Sequence, residues 1–270
     1  MLDLRLTKRQ VASLARPAGG VCSVLDESNA LLLAHLDYIR LAPASVLVST
    51  HSHGHLVPAL AARYPEAKVS HQMSGAPAYD PTGGFSFVGD LESLPLASAS
   101  LDLIVSDHAL HWTNDRLVAL QSYRRALKPG GLLLLVMPGV ETLMELRDSF
   151  SEETEALHHF PDMHQVGDEL VQAGWADPVV DMTALTVHYE KIATLFGDLS
   201  ALGYGNVHAG RSRGLWGQSR WARALSRYDA LRVSSCYPVT LELIFAHAWA
   251  PENNTLPPQA PVEAQVHFHR

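Results

Sequence analysis

The stretch Leu101–Met137, LDLIVSDHALHWTNDRLVALQSYRRALKPGGLLLLVM, decides the fold class. Leu101–Ser106 is a short run rich in Leu, Ile and Val, as a buried strand requires. Asp115–Leu127 has the apolar spacing of an amphipathic helix and is stopped by Lys128-Pro-Gly-Gly. Gly131–Met137 is then an apolar run too short to span a bilayer and reads as a fully buried strand. Strand, helix and strand in this order imply a right-handed crossover and two parallel strands. The same alternation extends upstream, with strands predicted at 45–50, 67–72 and 85–88 and helices at 27–41 and 56–64. The expected fold is α/β, a doubly wound Rossmann-like sheet covered on both faces. Downstream, helices are expected at 139–157, 164–173, 191–203 and 217–231, with strands within Val179–Tyr189 and Tyr237–Trp249. The expected organisation is a helical segment at 1–40, one domain at 41–250 with cap elements at about 139–235, and a polar, proline-rich flexible tail at 251–270.

Composition narrows the function classes. The 270 residues are 47% hydrophobic, enough for a full core, and carry a net charge of −8 with histidine neutral. That balance offers no general field for phosphates, so nucleic acid is not an expected partner. Cys22 and Cys236 are too few for a disulfide framework, and MLDLRLTKRQ has no apolar signal core. A reduced, cytoplasmic setting away from membrane is expected.

The stretch Val88–Gly139, beginning VGDLESLP, resembles the second half of a class I S-adenosylmethionine-dependent methyltransferase domain. ETLMELRDSF (141–150), LSALGYGNVHAGRSRGLWGQSRWARAL (199–225) and YPVTLELIFAHAWAP (237–251) resemble the malonyl-acyl-carrier-protein O-methyltransferases of biotin synthesis. They also resemble methyltransferase-like assembly factors of respiratory complex I. The resemblance implies a seven-stranded sheet with its last strand antiparallel and a helical cap after the fifth strand. It implies S-adenosylmethionine as cofactor, lying beyond the carboxyl ends of the strands at the switch point.

Carried over residue by residue, the resemblance is uneven. Asp90 falls on the acid that meets the adenine amine, with the Leu91 backbone facing the ring. An Asp at a strand end is also a common cap, and both readings stand. Ser106 and Asp107 fall where the family brackets the methionine portion. The family's acid-x-Gly-x-Gly-x-Gly loop falls on Val48, Ser49, Thr50, His51, Ser52, His53 and Gly54, of which Gly54 alone matches. The ribose acid falls on Gln72, which can bond a hydroxyl without charge. A β-carbon at Thr50 or Ser52 crowds the cofactor surface, and each lost charge-assisted hydrogen bond costs about 1.5–3 kcal/mol. Cofactor binding is therefore expected to be weakened or lost. Thr50→Gly, Ser52→Gly and Gln72→Asp together should restore it if these positions are the cause.

His51, His53, His55, His71, His108 and His111 gather at the strand-end edge. No carboxylate or cysteine pattern completes a metal site, so none is expected, and His111 is expected to pack under a helix. Arg211, Arg213, Arg220, Arg223, Arg227 and Arg232 form a basic segment in an acidic chain. Arg220, Arg223 and Arg227 share a helical face, with Trp221, Leu225 and Tyr228 facing inward. Arg211 and Arg213 are candidates to grip a substrate carboxylate, and the outer arginines to meet an acyl carrier protein or another acidic partner. A solvated face is the plain alternative.

Two functions follow. One is O-methyl transfer to the carboxylate of a small or carrier-bound acyl substrate, which needs no general base because a carboxylate is ionised near neutrality. The sequence names no catalytic residue for it. The other is a methyltransferase-fold partner or assembly subunit without turnover, a pseudoenzyme that keeps the scaffold.

Overall fold

The computed structural model describes residues 21–50, 56–73, 85–150, 159–205 and 217–253. In chain order the elements are α1 (Val21–His35), β1 (Ser45–Thr50), α2 (Leu56–Arg63), β2 (Lys68–Met73), β3 (Phe85–Val88) and β4 (Leu101–Asp107). Then come α3 (Arg116–Ala126), β5 (Leu127–Pro138), α4 (Met144–Ser149), α5 (Met163–Gln172), β6 (Ala176–Tyr189), α6 (Ile192–Ala201), α7 (Gln218–Asp229) and β7 (Tyr237–Trp249). One seven-stranded sheet has the order β3-β2-β1-β4-β5-β7-β6. The first five strands pair in parallel, and β7 is antiparallel to both β5 and β6. The expected α/β doubly wound sheet with an antiparallel last strand is what forms.

Period-two alternation sends successive residues to opposite faces. Leu47, Ile104, Leu133 and Leu135 pack with Leu120 and Tyr123 of α3 and Leu170 of α5. Val46, Val48, Leu103, Val105, Leu132 and Leu134 pack with Leu32 and Leu36 on the α1 side and with Leu56 and Leu60 of α2. Both faces are buried, which is why these strands read as continuous apolar runs.

The Lys128-Pro-Gly-Gly breaker behaves differently from expectation. The strand begins at Leu127, and the pairing jumps from Leu101↔Leu127 to Leu103↔Leu132. The irregularity holds Pro129 and Gly130 at the surface, with Gly130 at φ +70°, so the pairing resumes instead of starting. The expected helix at 139–157 is also shorter, being helical only over Met144–Ser149 among its described residues. The preceding turn is tied to β7. Gly139 N–H donates to the Glu242 carbonyl, Leu143 N–H to that of Thr240, and the Glu141 N–H to the buried Glu242 carboxylate at 2.6 Å. Leu143 sits in the left-handed region at φ 63°.

The β6–β7 hairpin outruns the parallel strands. Pro138 ends β5 opposite Leu243, while β7 continues back to Tyr237, paired with Tyr189. The protruding part is a wall beyond the strand ends. Val239 and Leu241 on it pack with Leu146 of α4, Leu195 and Leu199 of α6, and Ala224 and Tyr228 of α7. This second apolar cluster roofs the edge where ligands of doubly wound sheets bind.

Candidate functional site at the strand ends

The order reverses between β1 and β4, so the switch point lies beyond Thr50 and Asp107, which are paired in register. On the α3 face of the sheet, the register places Ser49 beside both Gln72 and Ser106. Four hydrogen bonds join them in one direction. Tyr123 O–H donates to Ser49 Oγ at 2.8 Å, and Ser49 O–H donates to Gln72 Oε1 at 2.5 Å. Gln72 Nε2 donates to the Gly89 carbonyl at 2.6 Å. Because the Tyr123 proton goes to Ser49, the 3.2 Å contact between Ser106 Oγ and Tyr123 Oη is a donation from serine. Ser49, Gln72, Ser106 and Tyr123 are all completely buried. Burial pushes the Tyr123 phenol up to about 12, so it stays a donor. Tyr123 had no marker in the sequence beyond its place in an amphipathic helix.

Asp90 lies exposed at the end of β3. One carboxylate oxygen accepts from Glu92 N–H at 2.9 Å and caps the short 3₁₀ turn Leu91–Ser93, while Leu91 itself is buried in the core. Gly54, His51, His53, His55, Arg211 and Arg213 lie outside the described residues. His71 is buried on the sheet face opposite Gln72 by alternation. Among the described residues, no group of three or more His, Cys, Asp or Glu could hold a metal ion.

A second polar group sits across the switch point. Asp107 is completely buried, and its two oxygens accept from Thr50 O–H at 3.0 Å and from His108 Nδ1–H at 2.7 Å. His108 leaves the strand at φ 48°, with its N–H still on the Val136 carbonyl. A bulky residue in that region costs about 1–3 kcal/mol and marks a position held by its surroundings. Its ring stacks near Tyr204, centroids 6.3 Å apart. Tyr204, His111 and Phe160 meet edge to face, with His111 in turn against Trp112. So His111 packs in an aromatic cluster under the cap.

Tyr204 is placed by local chain physics. Its N–H reaches the Leu199 carbonyl and that of Gly203 reaches Ser200, the paired bonds of a Schellman ending to α6. Gly203 is left-handed at φ +74°, and a Cβ there would lie 2.3 Å from the Trp112 ring. The Leu-Gly-Tyr of LSALGYG was therefore a readable helix stop, though nothing in it disclosed the destination of the phenol. Burial and then the Asp107 charge push that phenol far above its ordinary range, so it is a neutral O–H donor. Tyr204 Oη and His108 Nε2 are buried, and neither has a hydrogen-bond partner among the described residues.

On α7, Tyr228 is fully buried, Leu225 partly, but Trp221 is 40% exposed, its ring lying against Phe150 and Phe196 at the edge of the cap. The inward expectation for Trp221 is corrected by its position near the exposed start of the helix. Arg227 donates to the Ser149 carbonyl at 3.3 Å and so also ties α7 to α4.

Residues 54–135 match the family described as "Methyltransferase domain". A malonyl-[acyl-carrier protein] O-methyltransferase of Gallionella capsiferriformans (strain ES-2) is 37% identical, over 90% of each chain. That of Laribacter hongkongensis (strain HLHK9) is 39% identical over 82% of this chain and 80% of its own. Malonyl-[acyl-carrier protein] O-methyltransferase 1 of Coxiella burnetii is 36% identical over 94% and 90%. Among solved structures, YcgJ protein from Bacillus subtilis aligns with a TM-score of 0.58 at 15% identity, covering 84% of this chain and all of that one. Haemonchus contortus phosphoethanolamine N-methyltransferase 2 in complex with S-adenosyl-L-methionine aligns at 0.52 and 16% identity, over 83% and 52%. At these identities the structures speak for the fold.

Proposed function

The chain belongs to the malonyl-[acyl-carrier protein] O-methyltransferase family of S-adenosylmethionine-dependent methyltransferases, and on that premise we propose that it methylates the free carboxylate of a carrier-bound malonyl thioester. The observation carrying this reading is the 37% identity across 90% of both chains with an enzyme of that name. S-adenosylmethionine, when bound, would supply a sulfonium methyl for an acceptor carboxylate oxygen.

The protein's part is to bind, orient and exclude water. Asp90 suits the adenine amine, because its carboxylate is exposed and one cap hydrogen bond leaves further lone pairs. Leu91 supplies an apolar floor beside it. The ribose side is poorer in donors and acceptors, since Gln72 and Ser49 already serve each other, Gly89 and Tyr123. Ser106 is held in the same chain. Weak cofactor binding follows from that arrangement. Arg211 and Arg213 are proposed to border the acceptor cleft, and the exposed side of α7 to receive the acidic carrier. A reduced, cytoplasmic setting suits such a reaction.

The test is methyl transfer to malonyl-acyl carrier protein at low-millimolar S-adenosylmethionine, read by mass spectrometry. Methyl ester is expected. Its absence from folded protein would overturn the enzyme reading and favour the partner or assembly role, for which the closed Ser49–Gln72 hydrogen-bond chain is the motive. Calorimetry with S-adenosylmethionine separates a lost cofactor from a lost acceptor. Binding at low-micromolar concentration would refute the weakened site.

A further inference from the structure

We propose that Tyr204 Oη and His108 Nε2 together seat the free carboxylate of the methyl acceptor, so that this pair, at the end of β4, distinguishes a malonyl from an acetyl thioester. The proposal rests on the acceptor reading above. Four observations carry it. The two polar atoms are buried and have no hydrogen-bond partner among the described residues. Their rings stack 6.3 Å apart between centroids, so they share one small region. Each is positioned with some cost to the backbone: His108 at φ 48°, and Tyr204 behind a glycine that Trp112 and the left-handed turn both require. Finally, they stand at the strand end beyond the switch point, under the cap, where an acceptor must come to meet a methyl donor.

The chemistry fits a carboxylate better than an apolar or cationic group. The phenol is a neutral donor. The His108 ring is oriented by Asp107, which accepts from Nδ1–H at 2.7 Å; with both ring nitrogens protonated, Nε2–H would face a ligand as a second donor. A carboxylate offers about four lone-pair sites, so one oxygen can accept from Tyr204 O–H and from Nε2–H of the doubly protonated ring while the other remains free to attack. The ring edges of His111 and Phe160 beside Tyr204 supply an apolar surround that strengthens a hydrogen bond made there. An acetyl thioester has no oxygen at this position and would leave both buried groups unpaired, the arrangement that gives the sharpest rejection of an analogue.

A purely structural tyrosine predicts otherwise. Its hydroxyl would hold part of the fold, and Tyr204→Phe would lower stability. Here the hydroxyl bonds to no described residue, so that variant should melt at the wild-type temperature or slightly above. Binding of malonyl-pantetheine and acetyl-pantetheine to the full chain is measured by calorimetry. Wild type is expected to prefer malonyl. Tyr204→Phe should lose about tenfold or more in malonyl affinity, with acetyl unchanged. His108→Gln should lose affinity in the same direction. If Tyr204→Phe retains the wild-type preference, or if it melts well below wild type, the seat is wrong while the acceptor reading stands. If wild type itself shows no preference for malonyl, the acceptor reading falls and the seat falls with it.

Discussion

On the α3 face of the strand ends, Ser49, Gln72, Ser106 and Tyr123 bond to one another and end on a backbone carbonyl. On the opposite face, at the end of β4, Asp107 accepts from Thr50 and His108, yet His108 Nε2 and Tyr204 Oη have no hydrogen-bond partner among the described residues. Both groups are buried, and by strand alternation Ser49 and Ser106 point to the α3 face of the sheet while Thr50 and Asp107 point to the other. A closed chain of hydrogen bonds stabilises a sheet and asks nothing of a ligand. Buried groups left open cost about 1–3 kcal/mol each and persist where something else repays them. Ser49, Gln72 and Ser106, which fall on cofactor positions, are thus committed to one another and to the scaffold, whereas exposed Asp90 stays available and the buried groups left open lie on the acceptor side.

The largest expected effect tests the closed side. Gln72→Asp restores the acid of the family pattern, yet it would place a carboxylate against the Gly89 carbonyl in a completely buried position. An uncompensated buried charge costs about 3–5 kcal/mol, so urea unfolding should show a loss of that order. Cofactor affinity should not recover. A stable Gln72→Asp protein with tighter cofactor binding would break the comparison, because the amide would then be replaceable and the chain of bonds dispensable. The triple restoration with Thr50→Gly and Ser52→Gly is expected to fail for the same reason.

Next in size is a test of the open side. Gly203→Ala meets both a left-handed backbone and the Trp112 ring at 2.3 Å, and a loss of about 3 kcal/mol is expected. Tyr204 should be displaced with it, so malonyl discrimination should vanish in whatever protein remains folded. Gly197, within α6 and with nothing within 4 Å of its Cβ position, is the control. Gly197→Ala should raise stability by about 0.5–1 kcal/mol and leave discrimination intact. Equal behaviour of the two variants would show that the turn does not position Tyr204.

The two sides also differ in how legible they were. The strand at 45–50 was read to the residue because burial on both faces leaves an apolar run in the sequence, and the half-exposed edge strand at 85–88 was read to the residue from its Phe and Val content. Lys128-Pro-Gly-Gly does follow the end of the helix at Ala126, but the strand start expected at Gly131 lies at Leu127, since the segment forms an irregularity whose register depends on β4, a partner invisible to local pattern. Family matching pointed to Gln72, Ser49 and Ser106 as positions, but their partners Tyr123 and Gly89 lie 17 to 74 residues away in the chain. Such closure is a tertiary property. Tyr204 was missed for a related reason: the turn that places it is local, while the aromatic cluster around it comes from the 3₁₀ turn Leu110–Trp112 after β4 and from the segment before α5.

A matched pair of substitutions makes one chemical change in both groups. Tyr123→Phe removes a donor to Ser49 and an acceptor for Ser106, leaving a serine hydroxyl buried without a partner. About 2 kcal/mol should be lost, a clear fall in melting temperature. Tyr204→Phe removes the same atom from an equally buried ring, where it bonds to no described residue, and should cost nothing measurable. The two rings are alike in burial, and their phenols are both pushed upward by it, so the contrast isolates hydrogen bonding from packing. The unfolding curves should part at position 123 and coincide at 204. Acceptor binding should show the reverse order, with Tyr204→Phe the weaker binder of malonyl-pantetheine. Were Tyr204→Phe to unfold as readily as Tyr123→Phe, the phenol at 204 would be part of the scaffold, and the division between a closed and an open side would dissolve.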